Sequence, residues 1–516
     1  MICWLAPSLT PTETLCVFGS KQLFSLSMMN RNLSLFLASF ILVLFLSTSS
    51  QAAEGNSHMP HPKESPSQPN ILWIYIEDTN DWMSCYGDTV IKTPNIDRLA
   101  SEGIRFDRAY MPSGVCSPTR SAVITGMYQT SIGAHEHYSS FSMWRNNVME
   151  NWEPNHIGVK TVPEIMQAAS YYTFNEGKFH YNFVFDPDDL YHHHGAENGY
   201  KGAKNGTDWS GRKPGQPFFG QIQLVGGKYR NPKPVVSPNE VSVPSIYPDH
   251  PIIRKTIASH YNTILELDRE LSEIIDGLKR DGIYENTVIF FFSDHGSLLP
   301  RSKQFIYESG IRVPFILSGP NIPAGEARKD LVSGIDISAT TLAFANIGIP
   351  DNMHGMNMMA DDFHRDYVIA ARDRCDFTID RIRAVTTNRY KYIRNFMTDK
   401  PYMQPNYRSK SELMKFMHDQ YEAGKLNELE GQFFGNERPA EEFYDLQNDP
   451  EETNNLIHSI DREQTIALAN HRDILSRWIL DTDDKGRYPE SDNALRAVID
   501  RWGKKAVNRE YDRVRN

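Results

Sequence analysis

The sequence predicts an α/β protein: a large domain with a central, mostly parallel sheet flanked by helices, followed by a smaller C-terminal α+β domain with an antiparallel sheet. Three observations carry this. Two nearly continuous apolar runs, Ile71 to Ile76 and Thr287 to Phe292, read as strands buried on both faces, and each ends in acidic residues, Glu77-Asp78 and Asp294-His295. Between them a stretch from Ile252 to Arg280 repeats Ile264, Leu267, Leu271, Ile274, Ile275 and Leu278 at three- and four-residue spacing, the period of a helix with one buried face. Beyond about residue 350 the pattern turns to short strands and a hairpin.

The chain begins with a processing signal. Arg31 precedes the apolar run Leu33 to Leu46, and small residues follow to Ala53, so a signal peptide is expected over about 28–53, with Met28 or Met29 as the better start and 1–27 as upstream residues. The run is short for a membrane anchor, the alternative reading. The expectation is a secreted or periplasmic protein that is not integral to the membrane once the signal is removed. Residues 54–68 are polar and proline-rich, a linker. The large domain is expected at 69–350 and the smaller one, completing a cleft, at 351–516. A net charge of -11 argues against nucleic acid as a partner. Cys85, Cys116 and Cys375 follow the cleavage site, an odd and widely spaced set that is no disulfide framework.

Within the large domain, helices are expected at 95–102 and 163–169, and a strand at Val313 to Leu317. Residues 225–251 carry six prolines and read as an irregular excursion over the face where strand ends collect ligands. In the second domain Tyr367 to Ala371 and Ile382 to Thr387 read as strands, with Asn388-Arg389 turning the chain into Tyr390 to Ile393.

The sharpest chemical signal is Cys116-Ser117-Pro118-Thr119-Arg120, followed by Thr125-Gly126. It lies after the Glu77-Asp78 pair and before Gly177-Lys178-Phe179-His180, Asp294-His295-Gly296, Lys303 and the run Tyr307 to Pro314. In order and interval these segments resemble the type I sulfatase family of the alkaline phosphatase superfamily, over roughly residues 69–460. Arg372-Asp373-Arg374, Asp380-Arg381-Ile382-Arg383 and Phe443-Tyr444-Asp445-Leu446 are similar to the branch that includes heparan N-sulfatase.

The resemblance implies an enzyme that releases sulfate from the ester or N-sulfate of a sulfated saccharide. It places the modified nucleophile on Cys116, oxidised to formylglycine by a maturing enzyme. Arg120 would steady that group, Lys178 would contact it and the sulfate, Lys303 would bind sulfate, and His180 would move a proton. Two hydroxyls on one carbon let the hydrated aldehyde attack sulfur through one and expel sulfate through the other. Glu77, Asp78 and Asp294 offer hard oxygens, with His295 as a further ligand or a neighbour of one. Calcium is the expected cation and magnesium the alternative. Zinc is the rival that His192-His193-His194 and His135-x-His137 suggest, although neither carries a zinc-enzyme spacing.

Two positions depart from the family pattern. The first acidic pair is usually Asp-Asp, and here it opens with Glu77. A histidine usually follows the Pro-Phe-Phe strand. Here Pro217-Phe218-Phe219 leads to Lys228. A lysine suits an anion clamp better than a proton donor, so the proton for the leaving oxygen is expected from His135 or His137. These two, with Lys228, Arg372 and Arg374 and the neighbouring Asp373, Asp380 and Arg383, form the expected substrate pocket. Two other functions remain open: a phosphate or phosphonate monoester hydrolase of the same superfamily, and a secreted glycan-binding homologue without activity.

Overall fold

The computed structural model describes residues 68–137, 158–195, 208–229 and 231–515. The expected signal peptide and all but the last residue of the linker lie outside them. Residues 65–516 form one compact unit.

Among the described residues, nine strands make one sheet and four another. The large sheet contains β1 (Asn70–Ile76), β2 (Gly103–Tyr110), β3 (Tyr172–Glu176), β4 (His193–His194), β5 (Phe218–Leu224), β6 (Thr287–Ser293), β7 (Arg312–Ser318), β8 (Glu326–Arg328) and β9 (Val332–Ser333). Its order is β4-β3-β5-β1-β6-β7-β2-β8, with β9 also on β2. Pairing is parallel from β4 to β6, and antiparallel only where β7 meets β6 and β2. Parallel strands need covering on both faces. The alternation along β1 supplies it: Leu72, Ile74 and Ile76 enter one apolar cluster, Ile71, Trp73 and Tyr75 another.

The helices that cover the sheet are α1 (Pro94–Ser101), α2 (Cys116–Thr125), α3 (Val162–Ala168), α4 (Pro251–Arg280) and α5 (Asp336–Phe344). Helix α4 carries the expected stripe, and Ile264, Leu267, Leu271, Ile274 and Leu278 pack with Leu72 and Ile74. Every residue of α2 is buried, so it has no polar face to mark it in the sequence.

The second sheet runs β10 (Val368–Arg372), β11 (Ile382–Thr386), β12 (Tyr390–Asn395) and β13 (Glu441–Asp445), antiparallel throughout. The hairpin turns where Asn388-Arg389 predicts it. Helix α6 (Glu412–Glu422) packs Leu413 and Met417 into the apolar cluster around α4, and α7 (Arg462–Asp481) and α8 (Asp492–Trp502) complete the half built on the second sheet. Phe305, Ile306 and Tyr307 share one apolar cluster with Val368, Ile382 and Ile393, which joins the two sheets. Among the described residues no helix is long and apolar enough to cross a membrane.

Candidate active site

The parallel order places the chemistry. Ile76 pairs with Leu224 on one side and Ser293 on the other, so the ends of β5, β1 and β6 lie side by side. They deliver Lys228, Glu77-Asp78 and Asp294-His295 to one crevice. Asp78 has φ 51°, in the left-handed region, which breaks the strand's alternation and brings its carboxylate to the side that Glu77 faces. The turn after β5 needs its glycines. A Cβ on Gly227 would lie 2.1 Å from the Asp78 carbonyl oxygen, and one on Gly226 2.3 Å from that of Glu77. Only this close approach lets the chain lay Lys228 over the acidic pair.

Cys116 is the first residue of α2, where backbone N–H groups and the helix dipole favour an anion. Arg120 stands four residues on, hence on the same face. Its guanidinium donates to Glu77 Oε1 at 2.7 Å and lies 4.4 Å over the Tyr75 ring. Cys116 Sγ, which occupies the place of the expected formylglycine oxygens, lies 3.1 Å from His295 Nε2, 3.6 Å from Lys303 Nζ and 3.8 Å from Lys228 Nζ. His137 and His180 each bring a ring nitrogen within 4.8 Å of Cys116 Sγ as well. Burial alone would raise the Cys116 pKa, but Lys178, Lys303 and His295 outweigh it and hold it well below the ordinary thiol value. Four basic side chains, Arg120, Lys178, Lys228 and Lys303, face three carboxylates, Glu77, Asp78 and Asp294. The surplus is positive before any metal is counted, which suits an oxyanion.

The acidic groups divide into two sets. Asp78, Asp294, His295 and Cys116 place ligand atoms within 4.8 Å of one another. His295 Nδ1 sits 2.9 Å from the Gly296 carbonyl. Its Nε2 faces Asp78 Oδ1 at 3.3 Å and Asp294 Oδ1 at 3.5 Å. Asp294 Oδ2 is buried and accepts no hydrogen bond. Converging acceptors with an orphaned oxygen fit a hard divalent cation. Glu77, expected in the ligand set, lies outside that group, and its carboxylate meets Arg120, Lys178 (2.8 and 3.1 Å) and Lys228. The two departures from the family pattern, Glu77 and Lys228, are thus in contact with each other. Lys303 closes on Asp78 at 2.7 and 2.9 Å.

The expected substrate residues separate. His137 faces Cys116, whereas His135 lines a cavity of about 250 Å³ with Glu136, Arg374, Tyr488 and Glu490. Burial pulls the pKa of His135 down to about 4. Arg374 is spent inside the fold, donating to Glu490, Glu136 and the carbonyls of His137 and Asp376, so it is no substrate contact. Arg383 is fully buried on Asp484 and Asp373, and Asp380 is held by Arg438. These three corrections share a cause: each charge is neutralised by an internal partner that the local sequence does not show. Arg372 lies 4.6 Å over the Phe305 ring and 3.3 Å from Asp380, with Nε and Nη1 unbonded. His192, His193 and His194 turn to separate partners, Thr173, Glu176 and Asp188, rather than to one metal. Asp376, on His137, and Glu490, on Arg374, were missed because they lie 239 and 116 residues from those partners.

Known proteins bear on this geometry directly. The family model described as Sulfatase matches residues 69–347. The chain belongs to the sulfatase family. A second family model, N-sulphoglucosamine sulphohydrolase, C-terminal, matches residues 300–433. An ulvan-active sulfatase of Formosa agariphila is 30% identical over 479 residues, covering 83% of this chain and 77% of that one. Among solved structures, a protein in complex with its substrate D-glucosamine-2-N,6-O-disulfate superposes with a TM-score of 0.60 at 18% identity, covering 81% of this chain and 98% of that one. The phosphonate monoester hydrolase of Agrobacterium radiobacter reaches 0.58 at 16% identity, covering 80% and 96%, so the fold is shared across both chemistries. The chain is a sulfatase-family enzyme, and the family's use of formylglycine and a divalent metal meets a matching set of side chains here.

Proposed function

We propose that this sulfatase hydrolyses the sulfate of a sulfated carbohydrate, with formylglycine formed from Cys116 and calcium held by Asp78, Asp294 and His295. The observation that carries the reading is the convergence of His295, Lys303, Lys228, His137 and His180 on the side chain that opens α2. Formylglycine supplies a hydrated aldehyde as nucleophile, and calcium supplies a Lewis acid. Lys303 and Lys178 bind the sulfate oxygens, Lys228 clamps them from the β5 side, and Arg120 holds the helix face against Glu77. His180, kept neutral by burial and by Lys178, accepts a proton. The relative that acts on ulvan and the sulfated-sugar complex support a polysaccharide-derived substrate. The signal-like start supports action outside the cytoplasm, after a maturing enzyme has converted the thiol.

Substituting Cys116→Ala tests the reading. Turnover of 4-nitrophenyl sulfate is expected to vanish with thermal stability retained, and peptide mass should show the wild-type thiol converted to an aldehyde. Near wild-type turnover by the variant, or a preference for 4-nitrophenyl phosphate over the sulfate, would reject it.

A further inference from the structure

A second group of side chains reaches Cys116 from outside the motif order. His137 is 3% exposed, and its Nδ1 lies 3.0 Å from Asp376 Oδ1. The backbone reinforces the pair. His137 N donates to the Arg374 carbonyl at 2.9 Å, and His137 bridges to Cys375 in parallel fashion. One guanidinium nitrogen, Arg374 Nη1, donates to the carbonyls of both Asp376 (2.7 Å) and His137 (3.3 Å). The other nitrogens of Arg374 are held by Glu136 and by Glu490 near the C-terminal end of the chain. Asp376 sits at φ 54°, a conformation that a non-glycine residue keeps only when its surroundings enforce it. This clamp enforces it.

With Nδ1 taken by Asp376, the ring presents Nε2 to the reacting centre. The ring stands nearly perpendicular to that of His180, with centroids 5.2 Å apart, and both imidazoles bring a ring nitrogen within 4.8 Å of Cys116 Sγ. We propose that His137, fixed by Asp376 and by the Arg374 clamp, donates the proton to the leaving oxygen, the task left open by Lys228 at the usual histidine position. The proposal rests on the sulfatase reading and deepens it. As sulfur bonds to the attacking oxygen at position 116, the S–O bond to the sugar breaks. Its electron pair goes to the sugar oxygen, which takes the Nε2 proton. The attacking hydroxyl's proton passes to His180, and His137 is reprotonated from solvent.

The environments support this division. Burial opposes a charged His137, but Cys375 and Asp376 outweigh it and hold its pKa well above the ordinary histidine value. Burial and Lys178 push His180 well below. Two neighbouring imidazoles driven apart in this way make an acid and a base. His135 lacks such a partner arrangement and lines the separate cavity. Asp376 and Arg374 act through His137 and are positioning residues.

The test uses purified, calcium-loaded, matured enzyme and a series of aryl sulfates from 4-nitrophenyl to phenyl to 4-methoxyphenyl sulfate. A good leaving group needs no proton. His137→Gln should lower turnover of phenyl and 4-methoxyphenyl sulfate by about 10²- to 10⁴-fold while 4-nitrophenyl sulfate changes only a few-fold. Asp376→Asn and Arg374→Lys should show the same pattern more weakly, in kcat rather than KM. In Cys116→Ala protein, which needs no maturation, a low-field proton resonance from His137 Nδ1–H should be present and should be lost on adding Asp376→Asn. Equal losses across the aryl series, or a resonance indifferent to Asp376→Asn, would overturn the proposal. Wild-type enzyme inert toward every aryl sulfate would overturn the hydrolase reading itself.

Discussion

The contact between Glu77 and Lys228 should behave as one unit. Glu77 is fully buried and meets Arg120, Lys178 and Lys228 at once. Removing one partner of such a buried pair leaves uncompensated charge and costs about 3–5 kcal/mol. Lys228 keeps 31% of its side chain exposed, so its own removal should cost less. Burial and then Lys303 pull its ammonium down to about 7, while Asp294 pulls the other way. The informative perturbation restores the usual family pair: Glu77→Asp, Lys228→His and the double variant, compared with wild type. Glu77→Asp withdraws the carboxylate from Arg120 and Lys178. Lys228→His removes the cation that Glu77 neutralises. Each single variant should lose kcat/KM toward 4-nitrophenyl sulfate, and the double should recover part of the loss. A coupling of about 1–3 kcal/mol is expected for residues in contact, roughly a 5- to 150-fold departure from independence. Thermal unfolding of all four proteins separates a catalytic from a folding effect. Losses that add to within about 0.5 kcal/mol would refute the idea that the two departures compensate each other.

Two further outcomes are expected. Calcium at a hundredfold excess over its dissociation constant should stabilise the wild-type protein by about 2.7 kcal/mol; Asp294→Asn, which removes the orphaned oxygen's charge, should erase most of that gain, and full activity of chelated, metal-free enzyme would count against the site. Buried, neutral histidines should make the fold acid-labile. Burial holds His260 and His354 at about 4, below the unfolded value of about 6.5, so the unfolded chain takes up protons first. Their contribution is complete above about pH 6.5 and is lost as pH falls toward 4, by up to about 3 kcal/mol for the more deeply buried His260. His260→Gln should flatten the fall of the urea midpoint between pH 6.5 and 4; an unchanged slope would exclude this origin.

Much of the architecture and of the reacting centre is legible in the chain itself. The apolar runs that became β1 and β6, the stripe of α4 and the hairpin at Asn388-Arg389 are local periodicities, and local periodicity survives folding. The order of Cys116, Lys178, Asp294 and Lys303 is legible through its resemblance to a known family, whereas the parallel strand order accounts for the meeting of the acidic ends of β1 and β6. Helix α2 was not legible as a helix, because a helix buried all round has no amphipathic signal. Nor could the sequence allocate charges. Glu77 serves cations rather than the metal group because Lys228 is laid across it by two glycines 150 residues downstream. Arg374 clamps backbone rather than substrate because Glu136 and Glu490 close on it. His135 and His137 stand two residues apart, yet one lines a side cavity and the other meets Cys116. Residue type and spacing determined which groups are present near the strand ends. Which of them reach the nucleophile was decided by tertiary packing, because a buried charge settles on whichever partner lies closest in space, and that distance is not encoded in any local stretch of chain.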